Sequence, residues 1–150
     1  MGVGDKRVIF MVSLTFYEGA KFLLFDHDGT LVDTDRFYQS NAPASEILNP
    51  ETVGVIAETH LPFAIVAGTY RKHVERTIQV LPRMPLFCVC LEDSYPKTKP
   101  DPEPYLMALK KIEEMGLKAG DVVVFEDSEI GEASAKGAGL HVVRVKSFVK

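Results

Sequence analysis

The stretch Phe22-Leu23-Leu24-Phe25-Asp26-His27-Asp28-Gly29-Thr30-Leu31-Val32-Asp33 decides the fold. Its four consecutive apolar residues predict a buried strand, and the change to Asp and Gly predicts that the strand ends at Phe25. Uninterrupted apolar strands are typical of parallel sheets that are covered by helices on both faces. The stretch therefore favours an α/β fold whose first parallel strand ends in two carboxylates, Asp26 and Asp28.

The rest of the chain repeats this alternation of short apolar strands and amphipathic helices. Further strands are predicted at residues 63–66, 86–91, 122–125 and 141–145, which are rich in β-branched or aromatic residues. Helices are predicted at residues 51–60, 71–81, 105–115 and 130–137, the first with Asn49 as its N-cap and Pro50 at its first position. The pattern predicts a three-layer α/β fold with a mainly parallel sheet of about five strands. Residues 7–16 are predicted to add an antiparallel edge strand, followed by a turn at 17–20.

Composition predicts one compact domain over residues 1–150, because 46% of the 150 residues are hydrophobic and 25% are charged. The 17 basic and 21 acidic residues give a net charge of −4, so no basic excess favours a nucleic-acid backbone. The longest apolar run near the start, residues 8–12, is too short for a membrane span or a signal-peptide core, and we expect a cytoplasmic protein. Cys88 and Cys90 are expected on one face of a strand as buried free thiols.

Acidic residues follow two of the predicted strands. Asp26 and Asp28 follow the first strand, and Glu126 and Asp127 follow Val122-Val123-Val124-Phe125. In a parallel sheet these ends meet at one edge, where ligands bind. Up to four carboxylates at contact distance repel one another unless a cation lies among them, and an all-oxygen ligand set suits Mg²⁺ better than Zn²⁺. The sequence therefore predicts a magnesium site.

The Gly29-Thr30 pair predicts an anion site beside this metal. Gly29 suits a sharp turn that brings main-chain N–H groups close to an anion, and Thr30 is expected to fix the turn through its hydroxyl. Phosphate is the expected ligand. Taken alone, Asp-x-Asp-Gly is equally well an ordinary polar turn that leaves a strand, and it is the second acidic strand end that favours a functional site.

With these residues in view, the chain resembles the haloacid dehalogenase-like phosphohydrolases, whose signature is an apolar strand followed by Asp-x-Asp-Gly-Thr-Leu. The resemblance continues in Lys99-Pro100-Asp101-Pro102-Glu103-Pro104-Tyr105 and in Phe125-Glu126-Asp127-Ser128-Glu129-Ile130-Gly131, and it extends from about residue 21 to 145. It implies a Rossmann-like sheet with the site at the strand ends. It also implies a phosphatase, because an Asp at the position of Asp28 separates phosphatase-like members from dehalogenases.

The resemblance assigns roles to the acidic residues and to Lys99. Asp26 would be the nucleophile that forms an aspartyl-phosphate, and Asp28 would protonate the leaving oxygen and then deprotonate water. The Asp26 side chain, the Asp28 carbonyl and Asp127 would hold Mg²⁺, with Glu126 either a further ligand, directly or through water, or a residue behind the ligands. Lys99 would offset charge on Asp26 and the phosphoryl group, whereas the alternative for Lys99 is a solvated loop lysine.

One departure from the family concerns the strand that normally ends in a Thr or Ser whose hydroxyl binds the phosphoryl group. Here Ala67 or Gly68 stands at that position, and Thr69 is the expected substitute. We expect Gly29, Thr30, Gly68 and Thr69 to bind the substrate, together with main-chain N–H groups at the start of the 71–81 helix. Because loss of one such donor costs about 10²–10³ in rate, a catalytically weak protein that binds a phosphorylated ligand or partner is an alternative.

A second departure is the cap that many relatives carry between the first two motifs. Here we expect residues 34–48 to form one loop, or at most one helical turn, which leaves the site open. An open site favours a large substrate, such as a phosphoprotein or a nucleic-acid 3′-phosphate, or a neighbouring subunit that covers it, although a small phosphorylated molecule remains a candidate.

Other polar residues have simpler interpretations. Strand alternation predicts that the His27 side chain points away from both acids, toward packing or solvent. His60, His73 and His141 lack the spacing of a zinc site. Arg71, Lys72, His73 and Arg76 form a basic cluster that is either a solvated helix face or a docking patch for a phosphorylated macromolecule or nucleotide.

Overall fold

The chain folds around a five-stranded parallel sheet, as the apolar strands predict. The structure is a computed structural model, and it describes residues 19–39 and 41–148. The strands are β1 (Phe22–Phe25), β2 (Phe63–Val66), β3 (Cys88–Val89), β4 (Val122–Glu126) and β5 (His141–Arg144). The helices are α1 (Thr34–Gln39), α2 (Ala44–Ile47), α3 (Pro50–Thr59), α4 (Arg71–Ile78), α5 (Leu91–Ser94), α6 (Glu103–Glu113) and α7 (Glu129–Gly137), with one 3₁₀ turn at Ala119–Asp121.

The strand order β3-β2-β1-β4-β5 is that of a Rossmann-like sheet. Each neighbouring pair is parallel, and Phe25 in β1 lies opposite Phe125 in β4. The rings of these two residues stack with centroids 4.8 Å apart. The next residues along both strands, Asp26 and Glu126, therefore emerge side by side at one edge of the sheet.

Two apolar cores, one on each face of the sheet, give the three predicted layers. On one face the side chains of Leu23 and Phe25 pack against Ile56 of α3 and Val74 of α4. On the other face Leu24 packs with residues of α6 and α7. Every residue of β1 is buried, which explains why its sequence is apolar without alternation.

The predicted elements are confirmed within a few residues, with two shorter than expected. Asn49 caps α3 as predicted, since its Oδ1 accepts a hydrogen bond from the Glu51 N–H. Helix α4 ends at Ile78 rather than 81, because the residue before Pro82 disfavours helical backbone. The strand predicted at 86–91 is reduced to β3, an edge strand that pairs only with β2 among the described residues.

The segment 34–48, predicted as one loop or one helical turn, instead contains two short helices, α1 and α2. Phe37 of α1 is buried against the first core, and Arg36 of α1 lies 2.6 Å from the Glu46 carboxylate of α2. A bridge between Val32 and Leu48 closes the segment at its base. A single buried aromatic side chain and an ion pair thus order a segment that is too short to show helical periodicity.

Three further predictions concern the N-terminal strand, the two cysteines and membrane-spanning helices. The strand predicted at residues 7–16 lies outside the described residues. Cys88 and Cys90 are free thiols that pack toward the same core, as predicted, but only Cys90 is buried and Cys88 is half-buried. Burial raises the pKa of Cys88 to about 11 and that of Cys90 to about 12. None of the helices within 19–39 and 41–148 has the length and apolar character needed to cross a bilayer.

Candidate active site

The ends of β1 and β4 bring three carboxylates together, as the sequence predicts. Asp26, Glu126 and Asp127 each offer an oxygen within 4.8 Å of the others. Asp26 and Glu126 are buried and Asp127 is half-buried. The Asp28 carboxylate, expected in the same cluster, is not part of it. Within the described chain this is the group of His, Cys, Asp and Glu residues with the spacing of a metal site, and it includes no histidine or cysteine.

Lys99 lies between two of these carboxylates. Its Nζ is 2.8 Å from Asp26 Oδ1 and 2.6 Å from Glu126 Oε2, and it also donates to the Val66 carbonyl at 2.9 Å. Burial works against the ammonium ion, yet the two carboxylates outweigh it and raise the pKa of Lys99. Lys97, the alternative, is exposed. The motif lysine, and not its neighbour, therefore supplies the buried positive charge of the site.

The Glu126 side chain is fully buried. Its Oε2 accepts hydrogen bonds from Lys99 and from the Tyr105 hydroxyl of α6, while its Oε1 is buried and has no hydrogen-bond partner among the described residues. A Cβ at Gly131 of α7 would lie 1.8 Å from that Oε1, so only glycine permits this approach. The second carboxylate oxygen thus lies against Gly131 without a hydrogen-bond donor from the described residues, which is unusual for a buried polar atom.

Asp127 is held by two other parts of the chain, the turn after β1 and the segment after β5. Thr30 Oγ1 lies 3.0 Å from Asp26 Oδ2 and 3.3 Å from Asp127 Oδ1, and Ser147 donates to Asp127 Oδ2 at 2.6 Å. Burial and the neighbouring Asp26 raise the pKa of Asp127 to about 6. Burial also raises the pKa of Asp26, although the charge of Lys99 opposes it. Burial is the main cause of both shifts, and a neighbouring carboxylate adds to each, Glu126 for Asp26 and Asp26 for Asp127.

The turn after β1 differs from its prediction in one respect. Gly29 has a φ of +78°, and a Cβ there would lie 2.1 Å from Asp127 Oδ2, so glycine is required both by conformation and by space. The Thr30 hydroxyl, expected to fix this turn, instead contacts the two carboxylates. Main-chain hydrogen bonds from Gly29 to Val32 and from Leu31 to His27 fix the turn.

Asp28 lines the cleft but its carboxylate is held by His27 and Tyr38. His27 Nδ1 lies 2.8 Å from Asp28 Oδ1, and the Tyr38 hydroxyl donates to the same oxygen at 3.1 Å. The prediction that His27 points away from both acids is wrong for Asp28. Strand alternation does not apply there because β1 has ended at Phe25, so the backbone turns and brings the imidazole back.

The expected phosphate-binding residues are only partly assembled. Gly68 lines the cleft, whereas Thr69 is buried and its hydroxyl is 2.9 Å from the Tyr38 hydroxyl. The first N–H of α4, which belongs to Arg71, donates to the Glu92 carboxylate at 2.8 Å. The prediction that this helix start offers free amides is thus wrong for Arg71, because an acidic side chain of α5 occupies its N–H.

The cleft over the acidic cluster has a volume of about 310 Å³. Its wall includes the polar site residues and the apolar side chains of Leu91 and Ile130.

In the basic cluster of Arg71, Lys72, His73 and Arg76, Arg71 pairs with Asp93 at 2.6 Å and the Arg76 guanidinium lies over the Phe37 ring, 4.2 Å from its centroid. The His73 ring also packs edge-on against the Tyr38 ring, with centroids 4.9 Å apart, so three of the four members are engaged within the chain.

The donor set fits a divalent cation. The three carboxylates, with ligand oxygens within 4.8 Å of one another, form an all-oxygen set of the kind that Mg²⁺ prefers. One oxygen of the set's Glu126, Oε1, has no hydrogen-bond partner among the described residues. Lys99 neutralises only part of the negative charge. A cation bound by Asp26 and Asp127 would lower the pKa of both carboxyl groups, which burial now raises.

Three contributing residues were not predicted from the sequence. Tyr38 lies in the segment expected to be a loop, Tyr105 was expected only as part of the apolar face of a helix, and Ser147 follows the last strand. A buried tyrosine normally finds a partner for its hydroxyl, so Tyr105 carries a signal that points to a nearby acceptor. No pattern in the sequence indicates Tyr38 or Ser147.

The sequence of this chain matches the model of one known protein family. A sequence model of the family described as haloacid dehalogenase-like hydrolase matches residues 46–145, two thirds of the chain. The matched span includes Lys99, Glu126 and Asp127 but begins after Asp26 and Asp28.

Curated relatives and solved structures agree with this match. The (DL)-glycerol-3-phosphatase 2 of Arabidopsis thaliana is 29% identical over 122 residues, 77% of this chain and 50% of that protein. Protein CbbY of Rhodobacter capsulatus is 34% identical over 84 residues, 56% of this chain and 32% of that protein. The chain thus spans half or less of the length of these relatives.

Two solved structures share the fold. CbbY from Rhodobacter sphaeroides, in complex with phosphate, superposes with a TM-score of 0.70 at 20% identity, covering 86% of this chain and 87% of that one. A HAD-superfamily hydrolase of subfamily IA from Geobacter sulfurreducens superposes with a TM-score of 0.63 at 16% identity, covering 83% and 88%.

Proposed function

The chain belongs to the haloacid dehalogenase-like hydrolase family, and from that premise we propose that it is a Mg²⁺-dependent phosphatase that hydrolyses a phosphomonoester through Asp26. The observation that carries the proposal is the buried Lys99, paired with Asp26 and Glu126 beside Asp127 at the carboxyl edge of the sheet. An ordinary polar turn would not enclose a lysine among three carboxylates. Such an arrangement suits the binding and transfer of a phosphoryl group.

The proposed reaction has two steps. An Asp26 carboxylate oxygen attacks phosphorus, the bond from phosphorus to the substrate oxygen breaks, and Asp28 gives its proton to the departing alkoxide. Water then attacks the aspartyl-phosphate, Asp28 takes a proton from that water, and inorganic phosphate leaves as the Asp26 carboxylate is regenerated. The hydrogen bonds from Lys99 and Thr30 fix one Asp26 oxygen each, which orients the carboxylate for attack.

Asp26, Asp127 and the Asp28 main-chain carbonyl would hold Mg²⁺, with Glu126 contributing through its unpartnered Oε1, directly or through a water. When bound, the ion neutralises charge on the transferring phosphoryl group and on the carboxylates. Ser147 and Thr30 fix Asp127 from two sides. Glu126 has a second role in this proposal, since its other oxygen holds Lys99 in place.

Lys99 and the Gly29-Thr30 turn would contact the phosphoryl oxygens, together with Gly68, which also lines the cleft. We infer that Thr69 contributes less than expected, because its hydroxyl is already bonded to Tyr38. The substrate we propose is a small phosphorylated molecule. A cleft of about 310 Å³ suits one, and the name of one relative, (DL)-glycerol-3-phosphatase 2, describes a phosphatase of that kind.

The second candidate is a protein that binds a phosphorylated ligand with little turnover. It is favoured by Ala67 or Gly68 at the position of the family hydroxyl, by the engagement of Thr69 with Tyr38, and by the use of the Arg71 N–H for Glu92. Three groups expected to bind phosphate are thus absent or occupied, so transition-state stabilisation falls to fewer donors.

Phosphate release from p-nitrophenyl phosphate, with Mg²⁺ or with EDTA, tests the proposal. The wild type is expected to be active only with Mg²⁺, and Asp26→Asn should lower kcat by at least about 10³-fold. Asp35→Asn, which removes an exposed carboxylate of α1, is the matched control and should leave kcat unchanged. Activity that survives both EDTA and Asp26→Asn would overturn the proposal. An inactive wild type that binds inorganic phosphate in calorimetry would identify the second candidate.

A further inference from the structure

We propose that His27 and Thr77 are positioning residues for Asp28, the residue to which the proposed function gives the proton transfers. The inference rests on that function, and it concerns two side chains to which the family resemblance gives no role. His27 lies between the two aspartates of the motif, and Thr77 lies on α4, fifty residues further along the chain.

The His27 ring is locked in place. It is fully buried, with Nδ1 2.8 Å from Asp28 Oδ1 and Nε2 2.7 Å from Thr77 Oγ1. The Phe37 ring of α1 packs against it edge-on, with centroids 5.2 Å apart. Both ring nitrogens are therefore used, and a rotation of the ring would break both hydrogen bonds at a position closed to solvent.

With Asp28 ionised, as it is before it takes a proton from water, and the imidazole neutral, the two contacts determine which nitrogen carries the proton. An ionised Asp28 carboxylate can only accept, so Nδ1 must donate to it. A neutral imidazole has one N–H, and Nε2 must then accept from the Thr77 hydroxyl. Asp28 thus requires the ring tautomer with the proton on Nδ1, and Thr77 holds that ring in place by donating to the remaining nitrogen.

This arrangement exceeds what packing requires. A leucine would fill the space between β1, α1 and α4 without the cost of burying two polar nitrogens. The contacts of His27 lead instead to a single carboxylate at the cleft. Tyr38 donates to the same Asp28 oxygen at 3.1 Å, so the carboxyl group is held from two sides. Loss of the His27 contact should disorder Asp28 partly rather than fully.

The test compares two substrates of nearly equal shape, phenyl phosphate and p-nitrophenyl phosphate. Phenolate is the more basic leaving group, so its departure depends more strongly on a positioned acid. Thr77→Val removes the hydroxyl but keeps the shape, and Thr77→Ser is the matched control that keeps the hydroxyl. For Thr77→Val we expect kcat/KM with phenyl phosphate to fall about tenfold more than with p-nitrophenyl phosphate, whereas Thr77→Ser should keep the wild-type ratio.

An equal fall for both substrates would overturn the proposal, because a merely structural role does not discriminate between leaving groups. Asp26→Asn separates this failure from failure of the proposed function: it should abolish turnover of both substrates whatever the role of Thr77. A readout without turnover is the long-range ¹H–¹⁵N NMR spectrum of the four histidines, with His27→Gln to assign the signal. A proton on His27 Nδ1 that is lost or exchanges in Thr77→Val supports the proposal, and a proton on Nε2 in the wild type would refute it.

Discussion

Replacing Lys99 by methionine removes the buried positive charge between two carboxylates while keeping a side chain of similar length. The side chain of Lys99 is 8% exposed, and its ammonium lies 2.8 Å from Asp26 and 2.6 Å from Glu126. The variant leaves Asp26, Glu126 and Asp127 within 4.8 Å of one another with no cation among them. The first effect we expect is therefore a loss of stability of the metal-free protein.

The size of the loss follows from the burial of the pair. Removing one partner of a buried ion pair costs about 3–5 kcal/mol, because the remaining charge is left without compensation. Native domains of this size have a total stability of about 5–15 kcal/mol. We thus expect Lys99→Met to lose about 3 kcal/mol or more near pH 7 without metal, a large part of the free energy of unfolding.

The loss should depend on pH in a defined direction. Burial raises the pKa of Asp26, and the charge of Lys99 opposes that increase, so the variant raises the pKa further. A carboxyl group whose pKa is raised in the folded state retains its stability below the pKa of the unfolded chain, about 4, and loses it as the pH rises. The difference between variant and wild type should thus be small near pH 4 and grow toward pH 7.

Urea unfolding in EDTA across this pH range measures the difference, with Lys97→Met as the matched control. Lys97 is exposed two residues away, and its replacement should change stability by no more than about 0.5 kcal/mol. If Lys99→Met unfolds at the same urea concentration as Lys97→Met at pH 7, the reasoning about the buried charge is wrong.

Three further predictions concern the same site. A glycine-to-alanine change ordinarily stabilises a helix by about 0.5–1 kcal/mol, but in Gly131→Ala the Cβ overlaps Glu126 Oε1, so we expect a lower melting temperature and lower activity. Gly120→Ala, with open space around the Cβ, is the control. A rise in melting temperature for Gly131→Ala would contradict the geometry. The pKa of Asp127 is raised to about 6, so the metal-free protein should become less stable as the pH rises from about 4 to 7. Asp127→Asn should reduce this dependence of stability on pH. If thermal unfolding shows the same dependence of melting temperature on pH in wild type and variant, the prediction is wrong. Ser147→Ala frees one Asp127 oxygen and should weaken Mg²⁺ binding about tenfold by calorimetry, with unchanged affinity as the opposing result.

The sequence predicts the parts of the site that follow from local pattern. The uninterrupted apolar residues of β1 and β4 place Asp26 beside Glu126 at one edge of the sheet, and the motif around Lys99 distinguishes it from Lys97. These predictions succeed because strand length and direction are set by residues within the strands. The register then follows from the parallel sheet.

What the sequence does not predict depends on contacts between distant segments. Tyr38 reaches Asp28 because one buried aromatic residue, Phe37, orders a helix of six residues, and so short a helix shows no periodicity. Ser147 reaches Asp127 only because the segment after β5 extends to the turn after β1, where the Phe148 N–H donates to the Gly29 carbonyl. The orientation of His27 depends on where β1 ends, and a shift of one residue in that boundary reverses the prediction.

The most direct test of the central claim is to trap the phosphorylated protein. Asp28→Asn should slow the attack of water more than the first step with p-nitrophenyl phosphate, because p-nitrophenolate leaves without a strong need for an acid. Mass spectrometry of this variant after acid quenching, with Mg²⁺ present, should find one hydroxylamine-sensitive phosphoryl group on Asp26. A phosphoryl group on another residue, or undiminished turnover in Asp26→Asn, would contradict the account.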